Sequence, residues 1–354
     1  MKRFKSIVLT LVAAVVIAVN IPGPTASAQS SALSIAPRKD YVIEQGNSIK
    51  DSITIRNLDR TSGLNLNLRV IDFTYTDDGG TPKLMLDQDA EPTTWSLRSY
   101  LKTPKSVKVD AGGTARVDFS VDMPKNIGAG SYYSAIIYST GAPDAAGQGN
   151  VGLSASGVTL IFANAPGKVK EELNLKKFGA YNQDISKYQT VMMNEPMNMA
   201  YTLENKGNVT EAPVGTITLK DMFGRTRTIE NVNPSRSLAL IGQTRTFVAC
   251  IELDKDAKTT ESSGSTNVCK SAGLWPGMYT ASLDLFYGQN GNNTEEIRNT
   301  KIFWYLPIWF VILVGLLLLA AVYLIWRLVV VVKGGSFTPG GQSRRSARRL
   351  SRRR

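Results

Sequence analysis

Apolar residues form two long runs near the ends of the chain and short alternating runs between them. The first long run, Ile7 to Val19, follows three basic residues and leads to Ala26-Ser27-Ala28. A basic start, a short apolar stretch and an Ala-x-Ala ending are the parts of a secretory signal peptide, and this stretch is too short to cross about 30 Å of hydrocarbon as a helix. We therefore predict a signal peptide over residues 1–28, cleaved after Ala28; an uncleaved anchor is the alternative.

The second long run, residues 302–326, carries no charge over 25 positions. That length spans a bilayer with some tilt. Aromatic residues concentrate at the two ends of the run, where amphipathic rings favour the membrane interfaces. They are Trp304, Tyr305 and Trp309 at the first end and Tyr323 and Trp326 at the second. We predict one transmembrane helix over 302–326, the alternative being a buried core helix.

The distribution of charge gives the orientation. Residues 327–354 contain nine Lys and Arg and no acidic residue, so the positive-inside rule places this tail in the cytoplasm and the preceding domains outside the cell membrane. The formal net charge of +12 belongs to the chain ends, because all 29 acidic residues lie between residues 29 and 300. The near-neutral ectodomain therefore predicts no nucleic-acid binding. The basic tail is a candidate for contact with anionic lipid, or a topology signal alone.

Short runs rich in Val, Ile, Thr and Tyr alternate with Gly, Pro, Asn and Asp clusters throughout the ectodomain. Ile49–Asn57 and Tyr279–Tyr287 are apolar at alternate positions, which is typical of strands with one buried face. This pattern predicts an all-β ectodomain, and a length of about 270 residues favours two domains. We expect two immunoglobulin-like β-sandwiches in tandem, followed by the single transmembrane α-helix.

A weak internal repeat supports two related sandwiches. Ile53-Thr54-Ile55-Arg56-Asn57 resembles Tyr201-Thr202-Leu203-Glu204-Asn205, Gly130-Ser131-Tyr132 resembles Gly277-Met278-Tyr279, and Gly113 is aligned with Gly242. Tyr132 and Tyr279 are interpreted as structural, like the tyrosine corner of Greek-key sandwiches. The predicted boundaries are 29–165 for the first sandwich, 166–190 for a linker and 191–300 for the second sandwich.

The two cysteines, Cys250 and Cys269, flank a polar insertion in the second half. An exported pair at this spacing predicts a disulfide that tethers the insertion locally, with free thiols as the alternative.

The chain contains no histidine, which removes the usual general base and the commonest zinc ligand. One acidic cluster offers carboxylates for a glycosidase pair or a calcium site, although solvated turns around Asp78-Gly79-Gly80 are the favoured interpretation. Its members are Asp77, Asp78, Asp87, Asp89 and Glu91. We therefore expect no enzyme, no catalytic residues, no metal site and no cofactor. The Gly- and Ser-rich loop 141–157 is expected to be a tolerated hairpin tip or a recognition loop.

The order of segments resembles the bacterial WxL-interacting surface proteins over nearly the whole chain. The resemblance rests on Leu33-Ser34-Ile35-Ala36-Pro37, residues 49–57, Trp95, residues 117–139, Glu204-Asn205-Lys206-Gly207-Asn208, Asp221-Met222-Phe223-Gly224-Arg225 and Trp275-Pro276-Gly277-Met278-Tyr279. The resemblance implies two sandwich domains, a membrane anchor, peptidoglycan binding by the first domain and binding to a host surface by the second.

The leading functional expectation is a non-enzymatic protein that binds peptidoglycan or another envelope protein, mainly through its first domain. Asp78, Trp95, Arg98 and Tyr100 are the expected contact residues, because their side chains suit sugars and lie in a segment that the second half lacks. The alternative is a membrane-bound assembly factor whose exposed strand edge pairs with secreted client proteins.

Overall fold

The first domain is a β-sandwich built from strands that alternate buried and exposed side chains. The computed structural model describes residues 33–87, 91–140, 156–254, 268–288 and 294–334. The strands of this domain are β1 (Leu33–Ile35), β2 (Arg38–Val42), β3 (Ser48–Asn57), β4 (Leu64–Ile71), β5 (Phe73–Tyr75), β6 (Pro82–Leu84), β7 (Leu101–Lys102), β8 (Ser106–Val109), β9 (Thr114–Asp122), β10 (Gly130–Ser139) and β11 (Ser156–Ala165). Sheet β1-β3-β9-β7 faces sheet β2-β11-β10-β4-β8, and β5 and β6 form a separate hairpin.

The second domain repeats this arrangement. Its strands are β12 (Leu173–Asn182), β13 (Lys187–Tyr188), β14 (Val191–Met192), β15 (Asn198–Asn205), β16 (Val214–Asp221), β17 (Thr226–Ile229), β18 (Thr244–Cys250), β19 (Gly277–Tyr287) and β20 (Glu295–Tyr305). Strands β12-β15-β18 correspond to β1-β3-β9, and β14-β20-β19-β16-β17 corresponds to β2-β11-β10-β4-β8. In both domains the last strand gains a short parallel neighbour, β2 or β14. The predicted pair of related immunoglobulin-like sandwiches is confirmed.

Strand pairing corrects one position in the predicted alignment of the internal repeat. Arg56 pairs with Thr114, and Glu204 pairs with Thr244, so Gly242 corresponds to Gly112 and not to Gly113. Gly112 and Gly242 have φ angles of 62° and 69°, a conformation that costs a residue with a side chain more than it costs glycine. The two turns therefore have the same backbone conformation. The structural alignment differs by one residue from the alignment predicted from sequence.

The linker and the second domain begin differently from the prediction. The segment that follows β11 is only 166–172, because residues 173–188 already belong to the second sandwich as β12 and β13. Leu173, Phe178 and Ala180 are buried in its core, while Lys176 and Lys177 are exposed. A register shift between Leu175 and Lys177 interrupts the alternation of buried and exposed side chains. This interruption and the two lysines are the reason that the sequence predicted a linker here.

The one α-helix among the described residues, α1 (Ile308–Gly334), also starts later than predicted. Residues 302–305 form the end of β20, where Phe303 and Tyr305 enter the second core. Pro307 then precedes the helix, and its carbonyl accepts the N–H of Phe310 at 2.9 Å, as expected for proline at a helix start. Residues 308–333 are long and apolar enough to cross a membrane, and the most apolar part of this stretch is not buried against the described chain.

The two domains meet head to tail through an apolar cluster. Ile71, Phe73, Tyr133 and Phe162 of the first domain pack with Leu238 and Leu240 of the second. Beside the cluster, the N–H of Ser131 donates to the carbonyl of Asn208 at 3.0 Å, and Asn208 Nδ2 donates to the carbonyl of Ala129 at 2.9 Å. The end of the second domain that carries Asn205 therefore faces the first domain, and its opposite end carries α1.

Two local predictions are confirmed. The hydroxyls of Tyr132 and Tyr279 donate to the carbonyls four residues earlier, Gly128 at 3.1 Å and Trp275 at 2.8 Å, so both tyrosines close a corner. Cys250 and Cys269 form a disulfide at the end of β18. The predicted signal peptide, most of loop 141–157 and most of the basic tail lie outside the described residues.

Candidate functional site

The hairpin formed by β5 and β6 projects from the first domain onto the second. Its tip is a turn at Asp77-Asp78-Gly79-Gly80, in which Asp77 Oδ1 accepts the N–H of Gly79 at 2.9 Å. Tyr75 at the base of the turn donates its hydroxyl to the carbonyl of Leu238 at 2.9 Å. The hairpin belongs to the segment that has no counterpart in the second domain, so an insertion in one domain reaches the other.

Arg245 of β18 fixes the hairpin against the second domain. Its Nη1 donates to the Tyr75 hydroxyl at 2.6 Å and to the carbonyl of Leu238 at 2.7 Å. The guanidinium also lies over the rings of Tyr75, at 4.9 Å, and Phe247, at 5.3 Å. Burial raises the pKa of Tyr75 and the charge of Arg245 opposes that rise, so Tyr75 is a neutral hydrogen-bonding partner at physiological pH.

The tip of the hairpin ends on the outer edge of β18. In the first domain the corresponding strand, β9, pairs with β7 through Leu101 and Lys102. Among the described strands, β18 has only β15 as a neighbour. The Asp78 carbonyl accepts the N–H of Thr246 at 2.5 Å, so the hairpin supplies one main-chain bond to an otherwise open edge.

The directions of the main-chain N–H groups along β18 show which part of its outer edge remains unpaired. N–H groups in a strand point alternately to its two sides. Since the N–H of Thr246 points away from β15, the N–H of Val248 points away as well. The Val248 side chain is 38% exposed. No other main-chain group of the described chain pairs with β18 at Val248. Val248 is therefore the free part of this edge.

A cleft of about 920 Å³ separates the hairpin tip from the outer face of the second domain's four-stranded sheet. This volume is at the upper end of ordinary ligand pockets, which span about 300–1,000 Å³. The walls carry three basic side chains, Lys177, Lys187 and Arg245, against two acidic ones, Asp77 and Asp78. The edge of β18 at residues 246–248 lies inside the cleft. Main-chain groups and polar side chains thus line the same opening.

The floor of the cleft is a chain of hydroxyl groups. Tyr188 and Thr202 are hydrogen-bonded through their hydroxyls at 2.7 Å, and Thr202 and Thr246 at 2.8 Å. Burial raises the pKa of Tyr188 to about 12, so its hydroxyl stays protonated at physiological pH. The floor can both donate and accept hydrogen bonds, and it presents no group poised for proton transfer.

Two non-glycine residues with positive φ flank the cleft. Ser186, with φ of 50°, lies in the turn between β12 and β13 and lines the opening. Arg236, with φ of 46°, lies between two other lining residues, Ser235 and Ser237. Such conformations cost energy and occur more often at functional sites than elsewhere. Their occurrence on both walls agrees with a functional role for the cleft.

The structure does not gather the four predicted contact residues around this cleft. Asp78 lines it, but contributes its carbonyl to β18. The Trp95 ring stacks on Tyr133 at 5.9 Å beside the interdomain cluster, and Tyr100 packs on the core of the first domain. Arg98 lies between them in the chain, half-buried, and does not line the cleft. Contact of this set with peptidoglycan stays a prediction.

The segment that carries Trp95 is held in place by a buried carboxylate. Asp72 Oδ1 accepts the hydroxyls of Ser96, at 2.7 Å, and Ser134, at 2.9 Å, and Asp72 Oδ2 accepts the N–H of Thr93 at 3.2 Å. Asp72 is 1% exposed. Nothing in the sequence separates this aspartate from the nearby acidic cluster. Of that cluster, Asp77 and Asp78 lie in a turn, and Asp89 falls outside the described residues. Within the described ranges no group of three acidic or cysteine side chains could hold a metal.

Comparison with known proteins gives similar folds at low identity. No protein-family model matches the chain, and a search of curated proteins finds no match. Similar solved structures include the class 5 fimbriae chaperone CfaA, with 14% identity, 78% of this chain and 100% of that chain covered, and a TM-score of 0.32. The E. coli chaperone DraB has 13% identity, with coverage of 75% and 97% and a TM-score of 0.32. A CFA/I fimbriae chaperone–tip adhesin complex has 11% identity, with coverage of 76% and 98% and a TM-score of 0.34. These values are too low to transfer a function, which has to be inferred from the residues of this chain.

Proposed function

We propose that the protein is a non-enzymatic, membrane-anchored assembly factor that binds extended segments of secreted or surface proteins in the cleft between its two sandwiches. The client segment would add a strand to the outer edge of β18, beginning at Val248. Helix α1 would hold the protein in the cell membrane, with both sandwiches outside and the basic tail in the cytoplasm. This proposal develops the assembly-factor alternative in preference to wall binding.

The observation that carries the proposal is the bond between the Asp78 carbonyl and the Thr246 N–H. It is main-chain pairing with an edge strand, which is the interaction that strand addition uses. An edge that accepts one carbonyl from the hairpin has the geometry to accept another at Val248. The hydroxyl floor and the lysines would then contact the side chains and carbonyls of the client.

The arrangement also explains how the protein limits aggregation through the outer edge of β18. Open edge strands promote aggregation unless they are short, charged or covered. The hairpin tip covers β18 at Thr246, and Val248 lies between the walls of the cleft. A single extended segment fits between these walls more readily than the edge of a whole sheet, which favours a client peptide over self-association.

Replacement of Val248 by proline tests the proposal directly. Proline removes the outward N–H and leaves the bonds to β15, because those use the neighbouring residues. Full-length protein in detergent micelles would be immobilised and incubated with the secreted and surface proteins of its own host. Val248→Thr, which keeps the N–H, is the matched control. We expect the wild type and Val248→Thr to retain the same proteins, and Val248→Pro to bind them on the order of tenfold more weakly.

Thermal unfolding of the three proteins checks the fold, and Val248→Pro should keep a transition close to that of the wild type. Equal client binding by Val248→Pro would overturn strand addition at β18. Purified cell wall, incubated with the wild type in parallel, provides a second comparison. Retention of wall material with no dependence on Val248, or release of soluble fragments from it, would favour the peptidoglycan or enzymatic alternatives instead.

A further inference from the structure

The end of the second domain next to α1 exposes large apolar side chains. Phe223 is 68% exposed, Trp275 is 62% exposed and Met222 is 56% exposed, and Met193 is also exposed. We call these four residues the end patch. Isolated exposed apolar residues are common in soluble proteins, whereas several at one end of a domain mark an interaction surface.

Strand register places all four residues at the level where the chain leaves the second sandwich. Tyr305, the last residue of β20, pairs with Gly277 and with Met192, the neighbours of the Trp275 turn and of Met193. Tyr279 pairs with Asp221, which precedes the turn that carries Met222 and Phe223. The N–H of Met222 donates to the carbonyl of Met278 at 3.1 Å, so this turn is fixed to β19.

The distance from this end to the helix is short. Ile308, the first residue of α1, follows Tyr305 by three positions, which span at most about 11 Å. The N–H of Leu306 donates to the carbonyl of Met192 at 2.9 Å, so part of even this short connection is tied to the domain. Trp309, in the first turn of α1, would lie at the membrane interface. A helix that crosses the bilayer would therefore hold the end patch against the membrane surface.

A cation lies between the two rings of the patch. The Arg225 guanidinium is 5.7 Å from the centre of the Phe223 ring and 5.4 Å from that of Trp275. Arg225 Nε donates to Asp221 Oδ2 at 2.6 Å, which fixes the side chain beside the patch. Aromatic rings with an adjacent guanidinium match the boundary between acyl chains and phosphate headgroups better than they match a wholly apolar protein surface.

We propose that the end patch is a membrane-docking surface: Phe223 and Trp275 enter the headgroup region of the outer leaflet, and Arg225 contacts lipid phosphates. The inference rests on the proposed membrane anchor and goes beyond client binding. Docking fixes the second domain on the bilayer instead of leaving it free to swing about residues 306–307. The cleft would then be held at a constant orientation to the membrane.

Single-cysteine labelling of the full chain in lipid vesicles tests the proposal. The native cysteines are joined in a disulfide, so an introduced cysteine is the thiol that reacts in the unreduced protein. Met193→Cys and Met222→Cys would each carry an environment-sensitive fluorophore at the patch and keep Phe223, Trp275 and Arg225. Leu318→Cys would carry it in the middle of α1. Leu58→Cys, at the exposed turn after β3, lies at the end of the first domain opposite the interdomain contact and is the distal control.

Two quenchers separate the environments: a nitroxide attached to phosphocholine lipid near the headgroup, and iodide in the outer solution. We expect the nitroxide to quench labels at 193 and 222, and iodide to quench the label at 58 alone. Labels at 193 and 222 that respond to iodide as label 58 does, while label 318 responds to a nitroxide deep in the acyl chains, would overturn docking and leave the anchor intact.

Protection of labels 193 and 222 from both quenchers would mean that a second copy or another protein covers the patch, and would also overturn the proposal. If label 318 itself escaped the deep nitroxide, the membrane anchor in the proposed function would fail, and the docking surface with it. Client binding through Val248 would remain open to its own test in that case. The failures of the two proposals are therefore distinguishable.

Discussion

Asn57 and Asn205 occupy the same position in the two sandwiches and make the same set of hydrogen bonds. Asn57 ends β3 and Asn205 ends the corresponding strand β15, and each is at most 1% exposed. Asn57 Nδ2 donates to the carbonyls of Ser62 and Asp110, and Asn205 Nδ2 donates to those of Val209 and Ala239. The side-chain carbonyl of each accepts the N–H two residues later. A buried amide thus holds together the loops at one end of each domain.

Replacement of Asn205 by alanine should destabilise the second domain. Three side-chain hydrogen bonds would be lost, and two buried carbonyls would lose a donor, which costs about 2–3 kcal/mol in total. Chemical unfolding of the full chain in micelles measures the change. Asn47→Ala is the matched control, because Asn47 is exposed and donates one long bond to Glu44. Equal effects of the two substitutions would show that the buried amide has no special role.

The repeat could be read from sequence because these features depend on local spacing. Alternating apolar residues define β3 and β19, and Asn57 and Asn205 end matching five-residue motifs. The start of α1 could not be read this way. Hydropathy joins Ile302–Tyr305 to the helix, whereas side chains alternate across β20 with Phe303 buried and Trp304 exposed. A continuous apolar run hides the change from strand to helix.

The candidate site lay beyond the reach of sequence for a different reason. The sequence indicated Asp78 because of its carboxylate, whereas Asp78 pairs with β18 through its main-chain carbonyl, a group that every residue has. The openness of β18 depends on the absence of a neighbour equivalent to β7 among the described strands, and so on the topology of the whole sheet. Arg245 and Val248 carried no distinguishing motif, because their partners are distant in sequence.

The contact between Tyr75 and Arg245 should couple the hairpin to the second domain. A double-mutant cycle with Tyr75→Phe and Arg245→Met isolates the pair, and we expect a coupling of about 1–2 kcal/mol, since the hydrogen bond involves a charged donor and a mostly buried hydroxyl. Chemical unfolding of the four proteins provides the free energies. The exposed pair Asp284 and Arg298 is the control and should show little coupling. Similar coupling free energies for the two pairs would contradict a specific contact between the hairpin and the second domain.

The disulfide should stabilise the second domain without affecting the anchoring of the protein in the membrane. Mass spectrometry of unreduced peptides should recover Cys250 joined to Cys269. Replacement of both by serine should lower the stability of the second domain by about 3 kcal/mol in the chain-entropy model, because the bond closes a loop with a sequence separation of 19. Extraction of the double variant from membranes should require detergent, as for the wild type. Alkylation of either thiol in unreduced native protein would contradict the bond.

The sandwich of the first domain should lose stability in acid through Asp51. Asp51 Oδ2 accepts Lys39 Nζ and the Tyr41 hydroxyl, both at 2.6 Å, which joins β3 to β2 in the facing sheet. The hydrogen bond from Lys39, with that from Tyr41, lowers the pKa of Asp51 from 3.8 to about 2. A carboxyl group whose pKa is lowered by folding stabilises the fold above its unfolded pKa. This contribution is therefore complete above about pH 4 and disappears as the pH falls from 3.8 to about 2.

Asp51→Asn removes this pH dependence, and the thermal midpoints of the two proteins provide the test. The wild type should unfold at a higher temperature than Asp51→Asn above about pH 4, and the difference should shrink as the pH approaches 2, because protonation then removes the same charge from the wild type. Asp118→Asn is the control for net charge, since Asp118 pairs with Arg116 at the exposed surface. A difference between wild type and Asp51→Asn that stayed constant from pH 5 to pH 2 would show that the amide disturbs packing and that ionisation of Asp51 contributes nothing.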